Sequence, residues 1–263
     1  MSGPAVCCDL DGVVWRGDVA IPGAAAAIAR LRGAGLRVAF MTNNSSARVG
    51  DYVAKLRAAG IDAAPGDVLT SAHAAAAHLS AVLAPGARVL ACAGPGVVEA
   101  LAGVGFEVVA EGPAAAVVVG WHREFDFERL TRASTAVRAG ARFVATNADP
   151  TYPVPGGLVP GAGALVAAVA TASGAEPEIA GKPHAPAVAL VRARLGDVGV
   201  VIGDRPSTDG ALAAALGWPF ALVLSGVAGT PGEEPVPVPA PAFVAADLAA
   251  LAPELIGAYV RPG

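Results

Sequence analysis

The stretch Ala5-Val6-Cys7-Cys8-Asp9-Leu10-Asp11-Gly12 indicates how the chain begins to fold. The run from Ala5 to Leu10 is mostly apolar, which is typical of a short buried strand. Asp11 and Gly12 then begin a polar segment that is typical of a loop. The stretch therefore predicts a buried strand with carboxylates at its carboxyl end.

Apolar runs and helical patterns alternate after this stretch. A helix is predicted over residues 22–34, a second strand over Leu36–Met41, and a helix that Ser45 or Ser46 caps and that ends at Ala59. Strand, helix, strand and helix joined by short links predict a parallel α/β sheet. The whole chain carries about ten such strands, more than one open sheet usually holds, so we expect two α/β domains.

The composition excludes several classes of protein. Hydrophobic residues make up 54% and charged residues 15% of the 263 residues, so the chain is not intrinsically disordered. A net charge of -4 without a basic cluster argues against nucleic-acid binding. Early charged residues argue against a signal peptide, and no segment is apolar enough to predict a membrane span. The three cysteines, two of them adjacent, favour reduced thiols and a cytoplasmic location.

Polar residues recur where predicted strands end or where helices are about to begin. These positions carry Asp9 and Asp11, Thr42-Asn43-Asn44, Lys182, and the segment Asp204–Asp209. In open parallel sheets, ligands bind outside the carboxyl ends of the strands, so groups that are distant in sequence can meet there. We therefore expect these groups to converge on one site.

The residue types at these positions suit phosphoryl transfer. Asp9, Asp11 and Asp204 can hold Mg²⁺, a cation that prefers oxygen ligands. The Thr42 hydroxyl, the Lys182 ammonium and backbone N–H groups at helix starts can donate to phosphate oxygens. A carboxylate can also act as the nucleophile and form an aspartyl-phosphate.

Two other functions use similar groups. A signalling receiver domain also places aspartates, a threonine and a lysine around Mg²⁺, but its acceptor aspartate lies on a middle strand and the domain is much shorter. A non-catalytic binder of phosphorylated metabolites would keep the pocket without turnover. Every acidic group is present here, so the sequence gives no sign that catalysis was lost.

The motifs occur in the order of a known family. The strings DLDGV (9–13), FMTNNS (40–45), ATNAD (145–149), GKP (181–183), GDR (203–205) with TD (208–209), and VLSGV (223–227) resemble the haloacid dehalogenase (HAD) superfamily of phosphohydrolases. Within it, the chain resembles subclass IIA, which includes 4-nitrophenyl phosphatases, phosphoglycolate phosphatases and glycerol-phosphate phosphatases. The resemblance implies an α/β fold with a Rossmann-like parallel-sheet core and a large inserted α/β cap.

The resemblance also implies a role for each acidic residue. Asp9 is implied to be the nucleophile, and Asp11 the acid that protonates the leaving oxygen and then activates water. Asp9, the backbone carbonyl of Asp11, and Asp204 are implied to hold Mg²⁺, with Asp209 orienting metal-bound water or the ligands. Pro206 departs from the family pattern, where an aliphatic residue is usual, but it removes no catalytic group.

The substrate contacts are implied in the same way. The implied phosphate- and substrate-binding residues are Leu10 (through its backbone), Thr42, Asn43, Asn44, Lys182, Thr146, Asn147 and Asp149. For Asn44 a role in a turn or cap is the alternative. His122 either lines a cleft of the cap or is structural.

Residues 1–78 and 179–263 are expected to form the core, and residues 79–178 the cap that closes over the ester. The expected partner is a small phosphorylated metabolite: glycerol phosphate, phosphoglycolate or a nucleotide monophosphate, with 4-nitrophenyl phosphate as an artificial substrate. All of these esters are candidate substrates. The resemblance is also compatible with a homodimer.

Overall fold

Two parallel sheets carry the fold. The computed structural model describes residues 4–154, 157–226 and 240–260. The strands, in chain order, are β1 (Ala5–Cys8), β2 (Trp15–Arg16), β3 (Val19–Ala20), β4 (Arg37–Thr42), β5 (Val68–Thr70), β6 (Arg88–Cys92), β7 (Glu107–Val109), β8 (Ala116–Val119), β9 (Arg142–Ala145), β10 (Thr151–Val154), β11 (Gly157–Pro160), β12 (Glu178–Ile179), β13 (Gly199–Gly203), β14 (Phe220–Val223) and β15 (Phe243–Ala245). The helices are α1 (Ala24–Gly33), α2 (Val49–Ala58), α3 (Ser71–Ser80), α4 (Pro95–Gly103), α5 (Phe127–Arg138), α6 (Ala162–Ser173), α7 (Ala185–Leu195), α8 (Ala211–Leu216) and α9 (Leu248–Tyr259).

The described residues divide into two compact units. The first comprises those of Met1–Thr42, Tyr52–Leu69 and Val191–Gly263, and the second those of Asn43–Asp51 and Thr70–Leu190. The predicted cap, residues 79–178, lies wholly within the second unit, which extends beyond it at both ends.

The first unit contains a sheet with the strand order β5-β4-β1-β13-β14-β15. Numbered by position in the chain, this is the order 3-2-1-4-5-6 of doubly wound α/β folds, so the predicted Rossmann-like α/β class is confirmed. The order reverses between β1 and β13. A ligand site is therefore expected beyond the carboxyl ends of these two strands.

The sequence of β1 explains its central place. All four of its residues are buried, and it pairs in parallel with β13 on one side and with β4 on the other. Cys8 lies opposite Ile202 and Phe40, so the three strands reach the same edge in register. The residues that follow these strands therefore start from neighbouring positions.

The second unit contains a parallel sheet with the order β7-β6-β8-β9-β12. Alternate residues of its strands face opposite layers of helices. Val89 packs in the cluster that includes α3 and α4 residues such as Leu79 and Leu101. Its neighbour Leu90 packs in the cluster that includes α5 and α6 residues such as Val169. This unit is therefore a three-layer α/β/α arrangement.

Several predicted elements needed correction. Helix α2 begins at Val49 and not at Ser45 or Ser46, because Asn44 Oδ1 accepts from the Ser46 backbone N–H at 3.1 Å and holds this segment in a turn. The segment after Asp11, predicted as loop, contains the short antiparallel pair β2 and β3. The antiparallel pair β10 and β11 was also not predicted, since its prolines and glycines are typical of loops.

Among the described residues, no helix combines the length and apolar character that crossing a membrane requires.

Candidate active site

Three aspartates of the first unit meet beyond the ends of β1 and β13. Asp9, Asp204 and Asp209 each offer a carboxylate oxygen, and these oxygens all lie within 4.8 Å of one another. The Asp9 backbone N–H donates to the Ile202 carbonyl at 2.9 Å, which continues the strand pairing to the site. Asp204 and Asp209 are only 4% and 1% exposed. Buried carboxylates this close repel one another, so the cluster is suited to a bound cation.

Glycines surround the Asp204 carboxylate so closely that no side chain fits beside it. A Cβ on Gly12 would lie 2.2 Å from Asp204 Oδ2, and a Cβ on Gly226 would lie 1.9 Å from the same oxygen. Gly12 also has a φ of +81°, which favours glycine. On the neighbouring carboxylate, a Cβ on Gly203 would lie 2.2 Å from Asp209 Cγ. The carboxylates of Asp204 and Asp209 thus pack closely against glycine backbone. Such oxygen donors fit a small hard cation such as Mg²⁺.

The carboxylate of Asp11 is not a member of this cluster, and the turn that follows β1 orients it. The Trp15 indole Nε1–H donates to Asp11 Oδ1 at 3.0 Å, and the Gly12 N–H donates to the Trp15 carbonyl at 2.7 Å. The Ser225 hydroxyl donates to the Gly12 carbonyl at 2.7 Å, which ties this turn to the end of β14. The sequence analysis gave Ser225 no role and included it only as part of the VLSGV string. Val227 of that string lies outside the described residues.

Leu10 and Thr42 complete the predicted residues of the first unit. Leu10 is fully buried, and its carbonyl accepts from the Val14 N–H at 2.8 Å. Thr42 ends β4 and is 2% exposed. It lies two residues beyond Phe40, the partner of Cys8, at the carboxyl end of the strand next to β1.

A polar network in the second unit is centred on Asn43. Its side-chain Oδ1 accepts from the Lys182 backbone N–H at 2.8 Å, and its Nδ2 donates to the Lys182 carbonyl at 3.2 Å. The Asn43 carbonyl accepts from the Ser71 hydroxyl at 2.6 Å and from Asn147 Nδ2 at 2.7 Å. Asp149 Oδ2 accepts from Asn43 Nδ2 at 3.4 Å. Four predicted residues from three separate motifs therefore meet here, and Ser71 joins them although the sequence analysis gave it no role.

Asn44 and Thr146, also predicted at the phosphate or substrate, have structural partners. Asn44 Oδ1 accepts from the Ser46 hydroxyl at 2.8 Å as well as from the Ser46 N–H, which is the turn role given as the alternative. Thr146 is fully buried, and its hydroxyl lies 2.9 Å from the Ser45 hydroxyl.

His122 lies inside the second unit and is 6% exposed. Its Nδ1 lies 2.9 Å from the Gly120 carbonyl, and its Nε2 has no hydrogen-bond partner among the described residues. Burial lowers the pKa of this imidazole. With Cys92 and Arg129 it lines a cavity of about 140 Å³.

Glu178 forms an ion-pair cluster on β12 of the second unit. His78 Nε2 lies 2.8 Å from its Oε2, and Arg142 donates to its Oε1 at 2.6 Å. Burial by itself would raise the pKa of Glu178, but the His78 hydrogen bond and the Arg142 charge outweigh it and lower the pKa.

A doubly wound parallel sheet with an acidic cluster at its switch point suits an α/β hydrolase that acts with a metal ion. The family model of haloacid dehalogenase-like hydrolases matches residues 6–107, and a second HAD-hydrolase-like model matches residues 179–251. The chain belongs to this family, as the motifs predicted.

Solved and characterised relatives cover almost the whole chain. D-glycerol 3-phosphate phosphatase of Mycobacterium tuberculosis is 39% identical over 262 residues, which are 97% of this chain and 73% of that protein. The crystal structure of a glycerol phosphate phosphatase from the same organism, in complex with magnesium, has a TM-score of 0.84 at 37% identity, over 95% of this chain and 76% of that one. The p-nitrophenyl phosphatase from Archaeoglobus fulgidus has a TM-score of 0.88 at 28% identity, over 97% of this chain and 100% of that one. The prediction of a phosphomonoester hydrolase is confirmed at the level of the family.

Proposed function

We propose that this chain is a Mg²⁺-dependent phosphomonoesterase that acts on a small phosphate ester through an aspartyl-phosphate at Asp9. The observation that carries the proposal is the approach of Asp9, Asp204 and Asp209 to within 4.8 Å of one another beyond β1 and β13. Glycerol 3-phosphate is the first candidate substrate, because the M. tuberculosis relative, 39% identical, is a phosphatase of that ester. Phosphoglycolate and nucleotide monophosphates are the further candidates.

In this proposal, hydrogen-bond donors from the sequence motifs described above bind the phosphoryl group. The Lys182 ammonium, the Thr42 hydroxyl and the backbone N–H groups around Leu10 and Asn43 donate to its oxygens. Mg²⁺ held by Asp9, Asp204 and the Asp11 carbonyl supplies positive charge that offsets the charge of the phosphoryl oxygens. Asp209 orients this set of ligands.

The reaction then proceeds in two displacements. The Asp9 carboxylate attacks phosphorus, the bond from phosphorus to the ester oxygen breaks, and the Asp11 carboxylic acid gives its proton to the departing alkoxide. In the second step the Asp11 carboxylate takes a proton from water, whose oxygen attacks the same phosphorus. The bond between phosphorus and Asp9 breaks, which releases phosphate and restores the free carboxylate.

We further propose that residues 1–78 and 179–263 form the catalytic core and residues 79–178 a cap that sets the substrate. A cytoplasmic location is supported by Cys7, Cys8 and Cys92, which are buried and form no disulfide with one another, as suits a reducing compartment. The homodimer stays a prediction, and light scattering on the purified protein tests it.

The experiment is phosphate release from a panel of esters, with and without Mg²⁺, for the wild type and for Asp9→Asn. The panel contains glycerol 3-phosphate, phosphoglycolate, a nucleotide monophosphate and 4-nitrophenyl phosphate. Asp62→Asn is the matched control, because Asp62 is exposed. We expect Mg²⁺-dependent turnover that Asp9→Asn abolishes and Asp62→Asn leaves unchanged.

Turnover by Asp9→Asn would refute the assignment of Asp9 as the nucleophile. A long-lived phosphoprotein without turnover would favour a receiver-like protein. Tight binding of an ester without hydrolysis would favour a metabolite-binding protein.

A further inference from the structure

The Asn43 amide forms a two-point contact with a single backbone residue, Lys182. Its acceptor Oδ1 receives the Lys182 N–H at 2.8 Å, and its donor Nδ2 reaches the Lys182 carbonyl at 3.2 Å. An asparagine amide matches this pair of backbone groups because it carries one donor group and one acceptor side by side. The contact spans 139 positions in the sequence, so no local regularity requires it.

Gly181, the residue before Lys182, leaves room for this contact because it has no side chain. A Cβ on Gly181 would lie 2.6 Å from Asn43 Oδ1 and 2.4 Å from the Thr146 carbonyl. Only glycine allows the Asn43 side chain to approach the backbone so closely. Lys182 itself is 5% exposed, so its long side chain leaves from a backbone that is fixed in a buried place.

Asn43 is itself held from the other side. Its carbonyl accepts from both Asn147 Nδ2 at 2.7 Å and the Ser71 hydroxyl at 2.6 Å. Asn43 therefore cannot shift without breaking bonds to two further segments. Buried hydrogen bonds thus connect Asn147 to Asn43 and Asn43 to Lys182. Such networks fix the geometry of their side chains when every polar group in them has a hydrogen-bond partner.

We propose that Asn43 is a positioning residue that acts through its side-chain amide to place the Lys182 ammonium on the phosphoryl group, and that Asn147 holds Asn43 for this task. The inference rests on the proposed function, which gives Lys182 its role. It assigns the Asn43 side chain to Lys182, whereas the sequence motif assigned Asn43 to the phosphate. Since a misplacement of about 1 Å at a reacting group can cost about 100-fold in rate, loss of this contact affects catalysis without removing any catalytic group.

Asn43→Asp is the decisive variant because it keeps the shape and the acceptor but removes the donor. The ionised carboxylate of this variant would set an oxygen against the Lys182 carbonyl and against Asp149 Oδ2, where Asn43 Nδ2 now donates at 3.2 and 3.4 Å. A protonated carboxylic acid has an O–H donor in its place, so low pH restores the pair. Asn43→Ala has neither group and gains nothing from protonation.

The measurement is kcat and KM for 4-nitrophenyl phosphate across a pH series, with the Mg²⁺ concentration for half-maximal activity as a second readout. We expect kcat/KM of Asn43→Asp to fall about 10- to 100-fold at neutral pH and its ratio to wild type to rise as the pH is lowered. The ratio for Asn43→Ala should be low and independent of pH. The Mg²⁺ requirement should not change in either variant.

Ala148→Asp is the matched control for added charge, since Ala148 is exposed and adjoins Asn147. It should retain kcat/KM within about twofold, a change of less than about 0.5 kcal/mol at about 1.4 kcal/mol per tenfold. An equal loss in Ala148→Asp, or an Asn43→Asp ratio that does not depend on pH, would overturn the positioning role.

If the Asn43 variants do not fold, Gly181→Ala tests the same contact, and wild-type kcat/KM in that variant would overturn the inference. Absence of turnover in the wild type would instead refute the proposed function, so the two failures are distinct.

Discussion

Replacing Gly226 with alanine would force the Asp204 carboxylate out of its place. The new Cβ would lie 1.9 Å from Oδ2, 2.5 Å from Cγ and 2.6 Å from Cβ of Asp204, whereas real Cβ atoms essentially never come closer than 3.0 Å to a non-bonded heavy atom. Because three successive atoms are too close, rotating the carboxylate does not relieve the clash. The oxygen has to move by at least about 1.1 Å, and a metal site tolerates only about 0.2 Å in its ligand distances.

The expected consequence is loss of Asp204 as a cation ligand with the fold retained. Mg²⁺ demands near-ideal octahedral geometry, so it does not follow a displaced ligand as a more flexible ion would. Disturbing groups that support a metal ligand typically costs about 10- to 100-fold in affinity. We therefore expect the Mg²⁺ concentration for half-maximal phosphate release to rise by about that factor in Gly226→Ala.

The assay is a Mg²⁺ titration of 4-nitrophenyl phosphate hydrolysis, paired with calorimetric binding of Mg²⁺ to the protein without substrate. Gly33→Ala is the control, because a Cβ there meets nothing within 4 Å at the end of α1. It should leave the Mg²⁺ requirement unchanged. An unchanged Mg²⁺ affinity in Gly226→Ala, with circular dichroism equal to wild type, would refute the assignment of Asp204 to the cation.

Three further predictions concern the second unit. Asn147→Ala removes the hydrogen bond of 2.7 Å to the Asn43 carbonyl. Since one net hydrogen bond contributes about 1 kcal/mol, we expect kcat/KM in steady-state assays to fall about fivefold. An unchanged kcat/KM would refute a role of Asn147 in catalysis. Glu178 has a lowered pKa in the folded state, so its pairing with His78 stabilises the protein above the usual carboxyl pKa, and this stability is lost as the pH falls through the lowered pKa. Glu178→Gln should therefore lower Tm at pH 7 and converge with wild type in strong acid, and a Tm difference that persists there would contradict this sign. Leu79→Ala empties a fully buried site and should lower the free energy of unfolding in urea by about 2–5 kcal/mol, whereas a loss below about 1 kcal/mol would show that the site collapses.

The acidic cluster was predictable because it follows from strand order. Asp9 and Asp204 each come directly after an apolar run, and carboxyl ends of neighbouring parallel strands share one edge. The approach of Asp209 was not predictable to this degree. It depends on the π-helical turn Pro206–Gly210, which brings the Asp209 carboxylate back to the Arg205 N–H at 3.2 Å.

The Asn43 network could not be derived from the sequence. Its bonds join side chains to backbone groups of residues far apart in the chain, and such bonds leave no periodic pattern. The motif strings pointed to Asn43, Asn147 and Lys182 as phosphate- or substrate-binding residues, but not as partners of one another. The start of α2 was misplaced for a related reason, since Asn44 uses its side chain in a turn where Ser45 or Ser46 was expected to cap a helix.

The strand order of the first sheet also bears on how the nascent chain folds. β1 is made before the other described strands, but its neighbour β13 begins only at Gly199, so one edge of β1 waits unpaired while roughly 190 residues are made. At about 5–20 residues per second, that wait lasts on the order of 10–40 s. The strands of the second sheet, from Arg88 to Ile179, are all complete before β13 is synthesised. Chains that end just before β13 and have been released from the ribosome should therefore carry a protease-resistant second unit and a first unit that proteases still digest.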